Sequence, residues 1–364
     1  MATITQLSTV FDHGFDDIID VRSPAEFEED HVPGALSLPV LDNDERAEVG
    51  TLYKRSAFDA RKLGAAMVFR NAAMHIEQSL AHHTGGWRPL IYCWRGGQRS
   101  GSFAWMLKEI GWRSDTIEGG YRTYRRLVVK TLYDEPLPYS FIKLNGHTGT
   151  AKTKLLHLLS ERGVQVIDLE GLANHRGSLL GGMASGQPSQ KWFETQLAQK
   201  LHALDATKPV FIEAESSKIG GIIMPRSLWV SMKASPVIEV RAPVWARAKY
   251  LASEYEDVLA DARSLKEKLL PLRRVRGAEI LENWFKLIDE GKHVELCQVL
   301  ATEHYDPAYT RSSKLVGQEP ETVFETAGLT SADLDRLADQ IAAYVQTKMT
   351  SPEPTTISPI AAAS

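Results

Sequence analysis

The feature that most restricts how this chain can fold is the run Leu90-Ile91-Tyr92-Cys93-Trp94-Arg95-Gly96-Gly97-Gln98-Arg99-Ser100. An apolar stretch of strand character enters a loop with two glycines and two arginines, and a helical pattern from Gly101 to Ile110 follows at once. Strand, tight loop and helix in immediate succession imply a parallel sheet, with reactive loops at the strand C-termini. Glycines let successive N–H groups turn inward, and a helix start adds partial positive charge. Such a cradle binds an anion and lowers the pKa of a thiol inside it. Cys93 is therefore the candidate catalytic thiol, with Arg95, Gly96, Gly97, Arg99 and Ser100 as candidate anion binders. The competing assignment is a buried cysteine at a strand end.

The rest of the first half repeats this alternation. Ile18 to Val21 reads as a strand, and Ser23 with Glu26 has capping-box spacing around Pro24 at the first helical position. His31-Val32-Pro33-Gly34-Ala35 is turn chemistry leading to a second apolar stretch, Leu36 to Val40. Arg61 to Leu80 is apolar at helical spacing, and Gly85-Gly86 breaks it before the Cys93 strand. From Ile117 to Arg126, a Gly-Gly turn leads into alternating tyrosine and arginine. Either these residues stack on bases, with Arg122 and Arg125 on phosphates, or they form a solvated helix start that closes the domain.

A length of 364 residues is enough for two cores. The expected division is 1–132, a polar, proline-punctuated linker 133–138, 139–350, and a Pro/Thr/Ser/Ala-rich disordered tail 351–364. After the linker, Ser140 to Leu144 reads as a strand, followed by Gly146-His147-Thr148-Gly149-Thr150-Ala151-Lys152-Thr153 and a helical run from Lys154 to Arg162. This is a P-loop layout, in which backbone N–H groups wrap a phosphate and the lysine supplies charge. Ala151 stands where the pattern has glycine, and its methyl restricts φ. Nucleotide hydrolysis is left open.

Further strands are expected at Val164 to Leu169, Pro209 to Glu213 and Val237 to Val240, with a helix from Gln190 to Leu204. Their ends carry Asp168, Glu170, Glu213 and Glu215, acids suited to Mg²⁺ or to general-base work. His175-Arg176-Gly177-Ser178 lies where the sheet would open its crevice. Arg241, Arg247, Lys249, Arg273, Arg274 and Arg276 form a basic supply beyond the last of these strands. Arg176, Arg273, Arg274 and Arg276 join the nucleic-acid candidates. One helix is expected over Glu279 to Leu300, with Cys297 packed inside it and His304-Tyr305-Asp306-Pro307 ending it; Ser331 would cap a last helix through Val345. A formal net charge of −4 carries no global nucleic-acid signal. Two cysteines cannot build a disulfide framework, which suits a reducing cytoplasm. No cysteine–histidine spacing fits zinc, no run spans a membrane, and the N-terminus lacks the basic-then-apolar pattern of a secretion signal.

Asp20-Val21-Arg22, Glu26-Phe27, His31 to Ala35, and Cys93 with Arg99 six residues on, together resemble a rhodanese domain over roughly residues 10 to 130. In that family the loop cysteine carries sulfur as a persulfide. Asp20 and Arg22 are expected to brace the site, and His31 to be a turn residue. Joined to the second half, the chain resembles the tRNA 2-selenouridine synthase family. Matching strings are Cys93 to Ser100, Asp168 to Ser178, Gln187-Pro188-Ser189-Gln190, Glu213 to Gly220, and His304 to Pro307. The resemblance implies an α/β chain: a rhodanese-like parallel-sheet domain, then a P-loop NTPase-like α/β domain with C-terminal helices. It further implies a transferase acting on wobble 2-thiouridine of tRNA through an S-geranyl intermediate. Geranyl diphosphate and then selenophosphate would be co-substrates, with no tightly bound cofactor, Mg²⁺ allowed, and no membrane partner. Lys152, Thr153 and the backbone from Gly146 to Ala151 would hold the diphosphate, and the Cys93 loop the selenophosphate. The family pattern has a full glycine-lysine-threonine P-loop, from which Ala151 departs. Trp192, Phe193, Trp229 and Trp245 are candidates for an apolar groove, each better explained by a core. Two alternatives stay open, a sulfurtransferase coupled to a P-loop ATPase or kinase, and a non-catalytic tRNA-binding protein.

Overall fold

The computed structural model describes residues 1–316 and 319–350, so the tail expected from 351 lies outside the described residues. Two parallel sheets form the frame. The first contains β1 (Asp17–Asp20), β2 (Leu36–Ser37), β3 (Pro89–Tyr92) and β4 (Asp115–Thr116) in the order β2-β1-β3-β4. The second contains β5 (Phe141–Asn145), β6 (Gln165–Ile167), β7 (Val210–Glu213), β10 (Val237–Arg241) and β11 (Thr322–Glu325) in the order β11-β10-β5-β7-β6. An antiparallel hairpin, β8 (Lys218–Ile219) with β9 (Ile222–Ile223), stands apart from both.

Period-2 alternation divides each central strand between two cores. Ile19, Ile91 and Cys93 pack with Met67, Val68, Phe103 and Leu107 of the helices Ala57–Gln78 and Gln98–Ile110. Ile18, Leu90 and Tyr92 point the other way and join Phe141, Val210 and Ile212 of the second sheet in one cluster. Tyr124 and Val128 of the helix Tyr121–Val129, with Phe193 and Leu197 of the helix Gln190–His202, complete that shared core. The connection between the sheets is tied down. Lys130–Asp134 is a π-helical turn, the Tyr133 hydroxyl donates to Glu194 at 2.6 Å, and Leu137 is buried.

Several local expectations change. Tyr121 and Tyr124 are buried, so they cannot stack on bases; that helix closes the domain face instead. The second apolar stretch is a regular strand only over Leu36–Ser37: Pro39 has no N–H for a ladder, and beyond Ser37 the Leu38 and Val40 N–H groups donate to the Asp20 and Val21 carbonyls at 2.9 and 3.4 Å. Glu279 to Leu300 is two helices, Ala278–Asp289 and His293–Leu300, parted at Gly291 with φ +66°. The chain then continues through a π-helical turn, Ala301–Tyr305, into the helix Asp306–Val316. Pro307 does not end a helix: it sits in the first turn, where a missing N–H is harmless. Thr330, not Ser331, caps the last helix, accepting from the Asp333 N–H at 3.3 Å while its own N–H donates to the Asp333 carboxylate. Cys297 is packing, and burial pushes its thiol up to about 12.

Candidate functional site

Two loops leave the C-terminal ends of central strands. The first follows β3. Burial works against ionising Cys93, but hydrogen bonds from the Ser100 hydroxyl (3.2 Å) and N–H, the Arg99 charge and the Gly97 N–H outweigh it. The thiol is thereby held below its ordinary range, which favours the nucleophilic thiolate. The loop is pinned from below. The Tyr121 N–H donates to the Cys93 carbonyl at 2.9 Å and the Arg122 N–H to that of Trp94 at 3.1 Å. Gly120 permits this approach, because at φ +61° a Cβ there would collide with the Cys93 carbonyl and the Gly96 nitrogen.

Arg22 braces the loop from behind. It clamps Asp20 at 2.6 Å, donates to the Asp30 carbonyl at 2.5 Å and lies 3.9 Å over the Tyr121 ring. His31 is stacked between Phe27 and Trp192, at 3.8 and 4.0 Å, and burial lowers its pKa. Arg99 pairs with Glu26 at 2.9 Å, whereas Arg95 is exposed.

The second loop follows β5 and opens into a cavity of about 330 Å³. Lys152 begins the helix Lys152–Glu161 and donates to the Gly146 carbonyl at 3.0 Å; Thr150 donates to the His147 carbonyl at 2.9 Å. Ala151 occupies the left-handed region at φ +58°, ψ +34°, so the position demands a glycine conformation without having a glycine. Two residues outside the motif hold the loop. Arg247 is buried rather than basic surface; it donates to the Thr148 carbonyl at 3.1 Å and forks onto Asp306 at 2.9 and 2.7 Å. The Asp306 string was visible in the sequence, but nothing local identified its partner.

The four acids separate by environment. Burial and the neighbouring charge of Glu215 push Glu170 up to about 7, and the Thr153 hydroxyl donates to Glu170 at 3.0 Å. Gly177 closes over this pair, where a Cβ would strike both carboxylates. Asp168 is occupied by capping, accepting from the Gly171 N–H at 2.6 Å, and by His157 at 2.8 Å. Glu213 is no cavity acid: it is fully buried, and one of its oxygens accepts from the Leu169 N–H at 2.8 Å. Among the described residues, no group of three or more His, Cys, Asp or Glu could hold a metal ion.

The basic candidates divide too. Arg125 is turned inward onto Glu194 and Asp30, Arg276 donates to the His304 carbonyl at 2.9 Å, and Arg176 lines the P-loop cavity beside Asp257. Arg122, Arg273 and Arg274 remain exposed. Gln187 and Gln190 prove to be clamps on the β8–β9 hairpin: Gln187 bonds Ile219 and Gly221, and Gln190 bonds both backbone groups of Ile223. Of the aromatic groove candidates, Trp192 is stacked, Phe193 is buried, Trp229 packs on the shared core, and Trp245 is exposed with Lys249 over its ring. Among the described residues no helix is long and apolar enough to cross a membrane.

Residues 3–127 match the rhodanese-like domain family, and residues 139–283 match the tRNA 2-selenouridine synthase AAA domain. A tRNA 2-selenouridine synthase of Nitrosomonas europaea is 36% identical over 272 residues, covering 72% of this chain and 70% of that protein. One from Bdellovibrio bacteriovorus is 36% identical over 69% and 67% of the two chains. One from Shewanella halifaxensis is 31% identical over 80% and 87%. With a rhodanese-like sheet carrying a thiol loop and a second parallel sheet carrying a phosphate loop, this chain belongs to the tRNA 2-selenouridine synthase family.

Proposed function

We propose that the protein converts wobble 2-thiouridine of tRNA to 2-selenouridine through an S-geranyl intermediate, using geranyl diphosphate and then selenophosphate. The observation that carries this reading is the pairing of a low-pKa thiol loop and a lysine-bearing phosphate loop across one shared core. A thiocarbonyl sulfur leaves poorly, whereas its alkylated form departs as a thiol. In the first step the C2 sulfur attacks C1 of the geranyl group, the C–O bond breaks, diphosphate leaves with the electron pair, and the N3 proton is lost. Lys152 and the N–H groups of the Gly146–Ala151 loop face the charge that develops on the diphosphate. The Thr153 hydroxyl beside Glu170 and Glu215 is an oxygen donor set of the kind Mg²⁺ takes together with substrate phosphates. These residues would hold that ion, which would neutralise diphosphate charge.

In the second step the Cys93 thiolate attacks C2 and geranylthiolate leaves, taking up a proton. The selenium of selenophosphate then bonds to C2 and expels Cys93. Water splits the Se–P bond, giving phosphate and returning a proton to N3. A perselenide formed on Cys93 from selenophosphate would instead have to release phosphorus as phosphite. Arg99 and the N–H groups of the loop hold the incoming anion.

Nucleoside mass spectrometry of 2-thiouridine tRNA incubated with both co-substrates tests this reading. Cys93→Ala is expected to accumulate the geranylated nucleoside without any 2-selenouridine, and Lys152→Ala to form neither. Selenouridine made by the wild type without any prenyl diphosphate would overturn it.

A further inference from the structure

The cavity over Cys93 is much larger than a small anion requires. It measures about 880 Å³, against about 330 Å³ at the P-loop, and lies between the thiol loop and the helices Asn43–Tyr53 and Ala57–Gln78. Its inner wall is apolar, built from Leu41, Val49, Ala60, Ala65 and Val68. The smaller P-loop cavity has apolar residues of its own, Ala151, Met183, Tyr250, Leu251 and Tyr255, beside Lys152, Glu170 and Arg176, but no nucleophilic thiol. Lys54, Arg61 and Arg95 also line the Cys93 cavity, and among the described residues none of the three makes an ion pair. Cys93 itself is reached from this space alone among the cavities described.

Three uncommitted cations around an apolar wall, with a nucleophile beside it, match an amphiphile that carries several negative charges. Selenophosphate alone would leave the apolar wall uncovered. We propose that this cavity binds the alkylated nucleotide, with the S-terpenyl chain on the Val49–Val68 wall and the flanking phosphates on Lys54, Arg61 and Arg95. C2 is then presented to Cys93. This inference rests on the S-alkylated intermediate proposed above. It implies that the base leaves the P-loop cavity after alkylation and enters a second receptor, chosen by the chain it has just acquired. An unalkylated 2-thiouridine offers that wall nothing, so the order of the two steps follows from binding.

The probe is synthetic S-geranyl-2-thiouridine bearing 3′ and 5′ phosphates, compared with its S-methyl analogue. Ala65 is an exposed position on its helix, so Ala65→Trp fills the cavity without entering the core. Ala47→Trp does the same from the facing helix. Two readouts are used: protection of Cys93 from iodoacetamide by the probe, followed by intact-protein mass spectrometry, and selenouridine formed from each probe with selenophosphate. In the wild type the S-geranyl probe should protect at least about tenfold better than the S-methyl probe. Either tryptophan should abolish that difference while S-methyl protection persists, with unchanged thermal melting showing that the fold is intact. Equal protection by both probes, or S-geranyl protection that survives both tryptophans, overturns the inference. Because the probe is synthetic, protection is decided separately from the first step. If the wild type never geranylates tRNA but still prefers the S-geranyl probe, the earlier reading fails and the cavity assignment stands.

Discussion

At the scale of single residues, the two loops are tuned by opposite means. Cys93 is buried, which alone would favour the neutral thiol, and the hydrogen bonds around it reverse the sign. Ser100→Ala removes the hydroxyl donor but keeps the N–H, so the pH midpoint of iodoacetamide alkylation should move up. The rate at neutral pH should fall severalfold in stopped-time alkylation assays. Ala151 is the converse case, a residue kept in a conformation its side chain disfavours. Ala151→Gly should raise folding stability by up to about 1 kcal/mol in a denaturant melt, offset in part by the lost methyl contact. Ala151→Val should lower it by about 2 kcal/mol, because a β-branched side chain fits the left-handed region worse. Cys93, Lys152 and Thr153 were legible from sequence because their chemistry lies in contiguous strings. Arg247 with Asp306 was not, because the two are 59 positions apart and only the fold brings the fork onto the carboxylate.

At the scale of elements, the segment Gln187-Pro188-Ser189-Gln190 organises more structure than its length suggests. Ser189 caps the helix Gln190–His202 through the Trp192 N–H at 2.9 Å and donates to the Glu29 carbonyl of the first domain. Gln187 joins the Ala173 and Ile219 carbonyls at 3.1 and 3.0 Å and accepts from the Gly221 N–H at 2.6 Å. Gln187→Ala should therefore cost about 2 kcal/mol and speed amide exchange at Gly221 before it affects the central strands. The central strands were readable as short apolar runs between turn signals. The hairpin Lys218–Ile223 and the strand Thr322–Glu325 were not. The hairpin strands are two residues each and are held by glutamine side chains rather than by a pattern of their own, while Thr322–Glu325 is only partly buried and has just Val323 and Phe324 as apolar residues. The helix break at Gly291 was missed for a related reason: apolar spacing continues on both sides of it.

At the scale of the whole molecule, the two sheets share a core, and a buried polar cluster crosses the same face. Arg125 meets Glu194, which also accepts from Tyr133 and Gln190, while Asp30 accepts from Tyr121 at 2.5 Å. Glu194→Ala leaves Arg125 only the more distant Asp30 carboxylate at 3.9 Å and strips Tyr133 and Gln190 of their acceptor, so it should cost about 3 kcal/mol in equilibrium unfolding. The wild type should unfold in one calorimetric transition; two resolved transitions would mean that the shared core does not couple the halves. By itself, the sequence determined the local chemistry. Alternating strands and helices dictate parallel sheets, and a glycine-bearing loop between strand and helix dictates an anion site, because both depend only on neighbouring residues. Tertiary structure decided which charged residues reach those sites and which are consumed in joining the halves. It also decided that the space over Cys93 has an apolar wall. Those outcomes depend on helices and strands distant in sequence coming to lie face to face, and no local pattern encodes that placement.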